Sequence, residues 1–307
     1  MSVVLLGYHN MGCRALKVLR ELGVQVPAVF THRDSAGENI WFQSLGQMAK
    51  EQGIAVYYPE DINQDKWVRL IEELAPELIL SCYFRQMVKE RILSIPPKGA
   101  VNLHGSLLPK YRGRCPVNWQ LVHGETMSGV TLHYMVKKAD AGDIIAQERV
   151  EIAPRDTAQS LFSKLEDAAE RVLRQYIPKL LDGTAPRIPQ DHSKATYFGG
   201  RRPEDGKIDW SQDAQSIYNL IRAVTWPYPG AFCELEGRKL FIWDAEPLKE
   251  ADTGLPTGTV VVRDDEPMVQ TGKGLLKILV ASFEGKPPEG QEERIPSELF
   301  QQGVHLR

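Results

Sequence analysis

Over its first hundred residues the chain alternates short apolar runs with longer amphipathic stretches. The runs at 2–7, 26–31, 54–57, 77–82 and 99–104 are bounded by Gly, Pro or polar residues, which predicts strands. Between them, 12–22, 40–52, 64–74 and 88–93 space their apolar residues by three and four, the period of a helix with one buried face. Strand and helix in strict succession imply βαβ crossovers. The predicted class is therefore α/β, a mainly parallel doubly wound sheet of Rossmann-like type.

The pattern then changes. Segments 130–137 and 143–150 read as a strand pair joined by the tight connection Ala139-Asp140-Ala141-Gly142. Asp156-Thr157-Ala158-Gln159 opens a long helix with Leu161, Leu165, Ala168, Val172 and Tyr176 along one stripe. Pro178 predicts that it kinks or ends near Ile177. Residues 182–207 are rich in Gly, Pro and polar side chains, the composition of a connection between domains. A helix at 214–224 follows, then the aromatic run Trp226-Pro227-Tyr228-Pro229-Gly230-Ala231-Phe232, and β-rich segments at 233–236, 239–245, 258–263 and 275–283. The expected division is an α/β domain over 1–190 and a β-rich domain over 205–307, with the aromatic run as a structural wedge between them, since aromatic clusters are core more often than site.

Composition narrows the partners. Lys+Arg 37 against Asp+Glu 40 leaves a net charge of -3 and no basic stripe, which argues against nucleic acid. The pairs Lys137-Lys138 and Arg201-Arg202 read as solvated surface, or at most a local patch. Met1-Ser2 runs into a strand pattern without a charged leader or a long apolar span, so neither secretion nor a membrane is expected and the predicted location is cytoplasmic. Cys13, Cys82, Cys115 and Cys233 form no C-x-x-C pair, which predicts buried thiols and neither a metal site nor a disulfide framework, with Cys115 near the loop 111–114. Gly7-Tyr8-His9-Asn10-Met11-Gly12 departs from G-x-G-x-x-G and excludes a nicotinamide fingerprint. His9 and Asn10 still follow the first strand, where open sheets face ligands. Asn10 either caps the helix after it or touches substrate.

The candidate chemistry sits where the fifth strand meets a turn, in Asn102-Leu103-His104-Gly105-Ser106-Leu107-Leu108-Pro109. Asn102 and His104 lie two apart and share a face of an extended segment. A bare N-x-H is most simply a strand-end histidine bonded to a carbonyl. With Asp140 it becomes a set suited to acyl transfer: an imidazole working near neutral pH, an amide donating to a developing oxyanion, and a carboxylate orienting the ring.

The run HGSLLPKYRG from His104 to Gly113, with Asn102 and Asp140, resembles the folate-dependent formyltransferases, and the resemblance extends over essentially the whole chain. It implies that Asn102, His104 and Asp140 are catalytic, moving a formyl group from 10-formyltetrahydrofolate to an amine, and that the C-terminal region is a small open barrel like an oligonucleotide-binding fold, with no nucleic acid implied. It places folate contacts on Gln86, Met87 and Val88 and on Val136, Lys137, Lys138, Ala139 and Asp140, many through backbone groups, with the apolar side chains of Met87 and Val88 flanking the pterin.

Within that family, the opening Val3 to Cys13, the segment Phe30-Thr31-His32-Arg33-Asp34 and Arg112-Gly113-Arg114-Cys115-Pro116-Val117-Asn118-Trp119 are most similar to the formyltransferases of UDP-4-amino-4-deoxy-L-arabinose, half of a bifunctional enzyme of lipid A modification and polymyxin resistance. That similarity implies a nucleotide-sugar substrate and fusion to, or complex with, a decarboxylase domain. Methionyl-tRNA formyltransferases share the SLLP and RG core, but they usually carry a small residue in place of Arg114, lack the Asn-Trp pair and tend to carry a basic loop where residues 34–41 here contain no Lys or Arg. They are the alternative. A formyltetrahydrofolate hydrolase or sensor is a third, disfavoured by the intact Asn102, His104 and Asp140. Arg114 is either a fork for a substrate phosphate or carboxylate, or a surface cation.

Overall fold

The computed structural model describes residues 1–35, 37–248, 253–264, 266–288 and 300–307. The chain forms two compact units, Met1–Pro116 with Met127–Glu151 and Phe162–Gly199, and Val117–Thr126 with Ile152–Leu161 and Gly200–Arg307.

The first unit begins β1 (Val3–Gly7), α1 (His9–Glu21), β2 (Ala28–Phe30), α2 (Leu45–Glu51), β3 (Ala55–Tyr57), α3 (Asp65–Leu74), β4 (Leu78–Cys82), α4 (Glu90–Leu93) and β5 (Ala100–His104), the alternation that the hydrophobic pattern predicts. The two-residue β6 (Arg112–Gly113), helix α5 (Pro116–Val122), β7 (Met127–Tyr134), β8 (Ile144–Glu151), the long α6 (Ala158–Asp182) and β9 (Tyr197–Phe198) follow in the chain, with α5 from Val117 on and the first turn of α6 counted in the second unit. The main sheet has the order β3-β2-β1-β4-β5-β7-β8. Its first five strands are parallel, and β7 and β8 join antiparallel. Chain order reverses direction between β1 and β4, so the loops after these strands diverge and leave room for a ligand at their carboxyl ends. Tyr8 N, just after β1, donates to Cys82 O at 3.1 Å and holds the two loops at that point.

Alternation along the strands divides the core. Val4, Leu6, Ala28, Phe30, Ile79 and Ala100 pack on one face with Val68 and Ile71 of α3, Ile92 of α4, and Ile62 and Val88. The other face of β1 receives α1, whose Leu16 and Leu19 are fully buried. Burying each such side chain contributes about 1.5–3 kcal/mol. Cys13, Cys82 and Cys233 are buried and Cys115 is half-buried, all four as free thiols.

Two helices differ from expectation. Helix α2 starts at Leu45, not 40, because Ser44 caps it by accepting from Gln47 N, and Trp41 and Phe42 turn instead to the ring of His9. Helix α6 continues through Pro178 to Asp182. A proline inside a helix costs about 3 kcal/mol; Ile177, Leu180 and Leu181 in the same turn are 0%, 2% and 5% exposed, and their burial outweighs that cost. Among the described residues no helix is long and apolar enough to cross a membrane.

The second unit carries α7 (Ala214–Val224) and an antiparallel sheet of β10 (Ala231–Leu235), β11 (Arg238–Leu248), β12 (Val260–Arg263), β13 (Glu266–Gln270) and β14 (Leu275–Ser282), in the order β10-β11-β14-β13-β12. It is an open five-stranded sheet. Strand β13 escapes the hydrophobic pattern because Pro267 stands in it, a residue that normally argues against a strand between two neighbours. The aromatic run lies within this unit, with Trp226 edge-on to Trp243 at 6.4 Å.

Candidate active site at the end of the fifth strand

Strand β5 is the last parallel strand, and its partner β7 places Asn102 opposite His133 and His104 opposite Thr131. The β7–β8 connection returns Asp140 to the same place. The turn is shaped by two close fits. A Cβ on Gly142 would meet Tyr134 O at 2.0 Å, and Asp140 itself is left-handed with φ 52°, a region that Asp tolerates better than most residues.

One oxygen of Asp140 organises the site. Around Oδ1 lie His104 Nδ1 at 3.7 Å, His133 Nε2 at 3.5 Å and Asn102 Nδ2 at 3.5 Å. Oδ2 accepts from Gly113 N at 2.8 Å. Burial disfavours the charged carboxylate, but the imidazoles of His104 and His133 and the Gly113 N–H outweigh it and hold Asp140 well below the usual carboxylate range.

Backbone carbonyls fix both rings. His104 Nε2 donates to Tyr111 O at 2.7 Å, and His133 Nδ1 donates to Tyr134 O at 2.8 Å. Each ring therefore turns its other nitrogen to Asp140, and that nitrogen carries the proton in the charged ring, the form whose field favours the carboxylate. Asn102 Nδ2 donates to His133 Nε2 at 3.2 Å. Its contact with Asp140 is too long for a strong bond, so one N–H of the amide stays loosely held. The loop after β5 is rigidly tied: Ser106 Oγ donates to Lys110 O at 2.7 Å, Thr131 Oγ1 donates to Ser106 O at 2.6 Å, Leu108 N donates to Thr131 Oγ1 at 3.1 Å, and Gln147 Nε2 donates to Leu108 O at 2.8 Å. Tyr111, left-handed at φ 58°, stacks on Phe198 at 5.1 Å.

The structure thus brings Asn102, His104 and Asp140 together and adds His133, which sequence reasoning missed. Its signal was present: in Val130-Thr131-Leu132-His133 a histidine falls in a buried strand that must pair with β5, on the same face as Thr131.

The other expected residues are more dispersed. Gln86 is occupied with its own loop, accepting from Ile62 N at 2.7 Å and donating to Pro59 O at 2.8 Å, which leaves only its backbone for a ligand. Met87 is 55% exposed. Val88 does not present its side chain to a ligand as expected; it packs in the core beside Ile62 and Ile92, where an apolar group gains most. Val136, Lys137 and Lys138 are exposed and Ala139 is half-buried, with Lys138 Nζ 4.9 Å from the Tyr197 ring. Arg114 is exposed; its N donates to Phe198 O at 2.9 Å and its guanidinium has no partner among the described residues. Asn10 caps nothing. It lies inside the first turn of α1, donating to Glu166 Oε1 at 2.8 Å and accepting from Gln43 N at 2.9 Å.

The family described as Formyl transferase matches residues 12–177, and its C-terminal domain matches 201–296. The chain belongs to the formyl transferase family. Solved structures share the fold. An N-formyltransferase from Helicobacter canadensis, in complex with folinic acid and dTDP-3-aminofucose, is 22% identical with a TM-score of 0.70, covering 90% of this chain and 97% of that one. WlaRD, a sugar 3N-formyl transferase solved in the presence of dTDP and 5-N-formyl-THF, is 20% identical with a TM-score of 0.70, covering 91% and 96%. HypX from Aquifex aeolicus, in complex with tetrahydrofolic acid, is 18% identical with a TM-score of 0.61, covering 91% of this chain and 43% of that one.

Proposed function

We propose that this formyltransferase moves the formyl group of 10-formyltetrahydrofolate to the amine of a nucleotide-linked amino sugar, with UDP-4-amino-4-deoxy-L-arabinose the first acceptor to test. The observation that carries the reading is the convergence of Asn102, His104 and His133 on Asp140 Oδ1 at the end of β5.

The residues present fit a folate. Val88 and Val136 have backbone N–H and C=O groups without a hydrogen-bond partner among the described residues, the groups that would read a pterin edge. Met87 and Val136, 55% and 45% exposed, offer apolar surface beside them. Asn63 holds that backbone in place, donating to Met87 O at 2.9 Å and accepting from Lys89 N at 2.8 Å. When bound, the folate supplies the formyl carbon on a nitrogen that can leave.

The chain's own groups do the rest. Asn102 donates its loosely held N–H to the oxygen that gains negative charge, where one such donor typically contributes ~3 kcal/mol. His104 takes the proton of the attacking amine at Nδ1, its one basic nitrogen while Tyr111 O holds Nε2–H, and passes it to the departing nitrogen. Asp140 keeps the ring oriented and stabilises its charged form. No covalent bond to the protein is required.

Acceptor choice rests on charge. The segment after β2 is acidic and tied down: Asp34 accepts from Tyr8 Oη at 2.8 Å and Glu38 pairs with Arg85 at 2.6 Å. Without a Lys or Arg at 34–41, such a segment offers a polyanion no basic grip. The free guanidinium of Arg114 suits a nucleotide phosphate. The sugar N-formyltransferases that share the fold over nearly their full length favour the same class.

The test is to incubate the protein and 10-formyltetrahydrofolate separately with UDP-4-amino-4-deoxy-L-arabinose, dTDP-linked amino sugars and charged initiator tRNA, following product mass. A formylated sugar nucleotide is expected. Efficient formylation of tRNA with no sugar turnover would overturn the assignment, and tetrahydrofolate release without an acceptor would mark a hydrolase.

A further inference from the structure

Arg112 is among the largest side chains fully removed from solvent, and among the described residues it has no carboxylate partner. A buried guanidinium is costly unless its N–H groups find acceptors. Those of Arg112 are neutral: Nη1 donates to Tyr197 Oη at 2.5 Å, and Nη2 to Gln190 Oε1 at 2.6 Å and His192 Nδ1 at 2.9 Å, while Nε has none. So unfavourable a group in a two-residue strand points to a role beyond packing.

The role lies one bond further on. A guanidinium has only donors, so it fixes the Gln190 amide with Oε1 toward Arg112 and Nε2 away. Gln190 Nε2 then donates to Asp140 O at 2.9 Å and Gly142 O at 2.6 Å. The neighbour of Arg112 in β6, Gly113, donates its N–H to Asp140 Oδ2. Gly113 can take that position because, at φ 99° and with Phe198 O 2.3 Å from where a Cβ would stand, only glycine fits. Asp140 is thus held by its carbonyl and by its carboxylate, both from the segment that Arg112 anchors. Without the guanidinium the Gln190 amide is free to flip, setting oxygen against two carbonyl oxygens and releasing the turn.

We propose that Arg112 is a positioning residue that acts through Gln190 to hold Asp140 against His104 and His133. The activity readout rests on the proposed formyl transfer; the ring readout below does not.

The experiment compares the full chain with Arg112→Met, Gln190→Leu, the double variant and Arg112→Lys, measuring kcat, KM, melting temperature and the imidazole NMR signals of the free protein across pH. Each single change is expected to lower kcat about 10- to 100-fold, the range for groups that orient a reacting shell, with folate KM within about threefold. The double variant should fall within about threefold of the worse single, since both cut one chain of contacts. Arg112→Lys should lose as much as Arg112→Met, because an ammonium keeps the charge but not the fork. The His104 and His133 signals should move in the direction seen for Asp140→Asn. Multiplying losses in the double variant would overturn the proposal, as would singles that lower only the melting temperature while kcat and the ring signals stay at wild-type values. If Arg112→Met does not fold, Gln190→Leu decides alone, because it leaves Arg112 bonded to Tyr197 and His192. A wild-type protein inactive on every sugar acceptor would count against the acceptor class, and the NMR arm would still decide the relay.

Discussion

His104 and His133 present their free nitrogens to the same oxygen, Asp140 Oδ1, at 3.7 Å and 3.5 Å. One carboxylate oxygen thus orients two rings, and Asp140, held well below the usual carboxylate range, stays ionised at any pH at which a free amine can attack. Asp140→Asn removes that charge from beside both rings and should lower kcat/KM severely at every such pH. Replacing His133 by Gln keeps an acceptor for Asn102 and leaves the carboxylate to His104, so its loss should be much smaller. Steady-state kinetics at several pH values measures both, and near-wild-type kcat/KM in Asp140→Asn would show that the carboxylate serves only as a loop contact.

Acting on one reaction centre, the site residues should behave as a unit. His104→Ala and Asp140→Ala are expected to lower turnover severely while folate affinity changes by a small factor, and Asn102→Ala to cost about 100-fold in kcat, the usual effect of losing an oxyanion donor. Effects in double variants should fall far short of additive. Steady-state kinetics with a formylated acceptor measures this, and near-wild-type turnover in His104→Ala would remove the proton shuttle.

Much of this site is legible in the sequence, because its parts are local. Strand β5 ends in a turn, Asp140 sits in a connection too short for anything but a hairpin, and the alternation over the first hundred residues dictates a parallel sheet whose carboxyl ends gather the loops. His133, Arg112 and Gln190 were not legible for the opposite reason. Each acquires its role only through pairing: His133 through the β5–β7 register, Arg112 through the two-residue bridge of β6 to β9, and Gln190 through two carbonyls fifty residues away in the chain. Pro178 misled where tertiary burial overrode local preference. Val88 misled because apolar residues serve a core and a ligand equally well, and only its packing decides.

The depressed ionisation of Asp140 makes a stability prediction. A carboxylate whose folded pKa lies below its unfolded value contributes stability that is complete above the ordinary carboxylate range, near pH ~4, and is lost as pH falls toward the folded value. The difference in unfolding free energy between wild type and Asp140→Asn should therefore be largest near neutral pH and shrink on acidification below pH ~4. Urea titrations at several pH values measure it. A difference constant down to pH ~3 would mean that the fold gains nothing from the charge.

His9 works in the opposite sense and sets the last expectation. Its ring lies 7% exposed among Trp41, Phe42 and Phe162, at 4.7, 3.9 and 4.7 Å, with Nδ1 unbonded. Burial first, and then the charge of Arg85, pull its pKa down to about 3. An unfolded chain takes up a proton at a free histidine near pH ~6.5, which the folded chain refuses until about 3. Between those values the unfolded state binds more protons, so stability falls as pH drops. Replacing His9 by Asn, which tolerates its left-handed backbone at φ 63°, removes that titration. The smaller side chain leaves space in the aromatic cage and lowers stability at every pH. The slope is what discriminates: between pH ~6 and ~4 the plot of unfolding free energy against pH should flatten by about one proton relative to wild type. Parallel plots for the two proteins would mean that His9 is protonated inside the fold and that the cage does not keep it neutral.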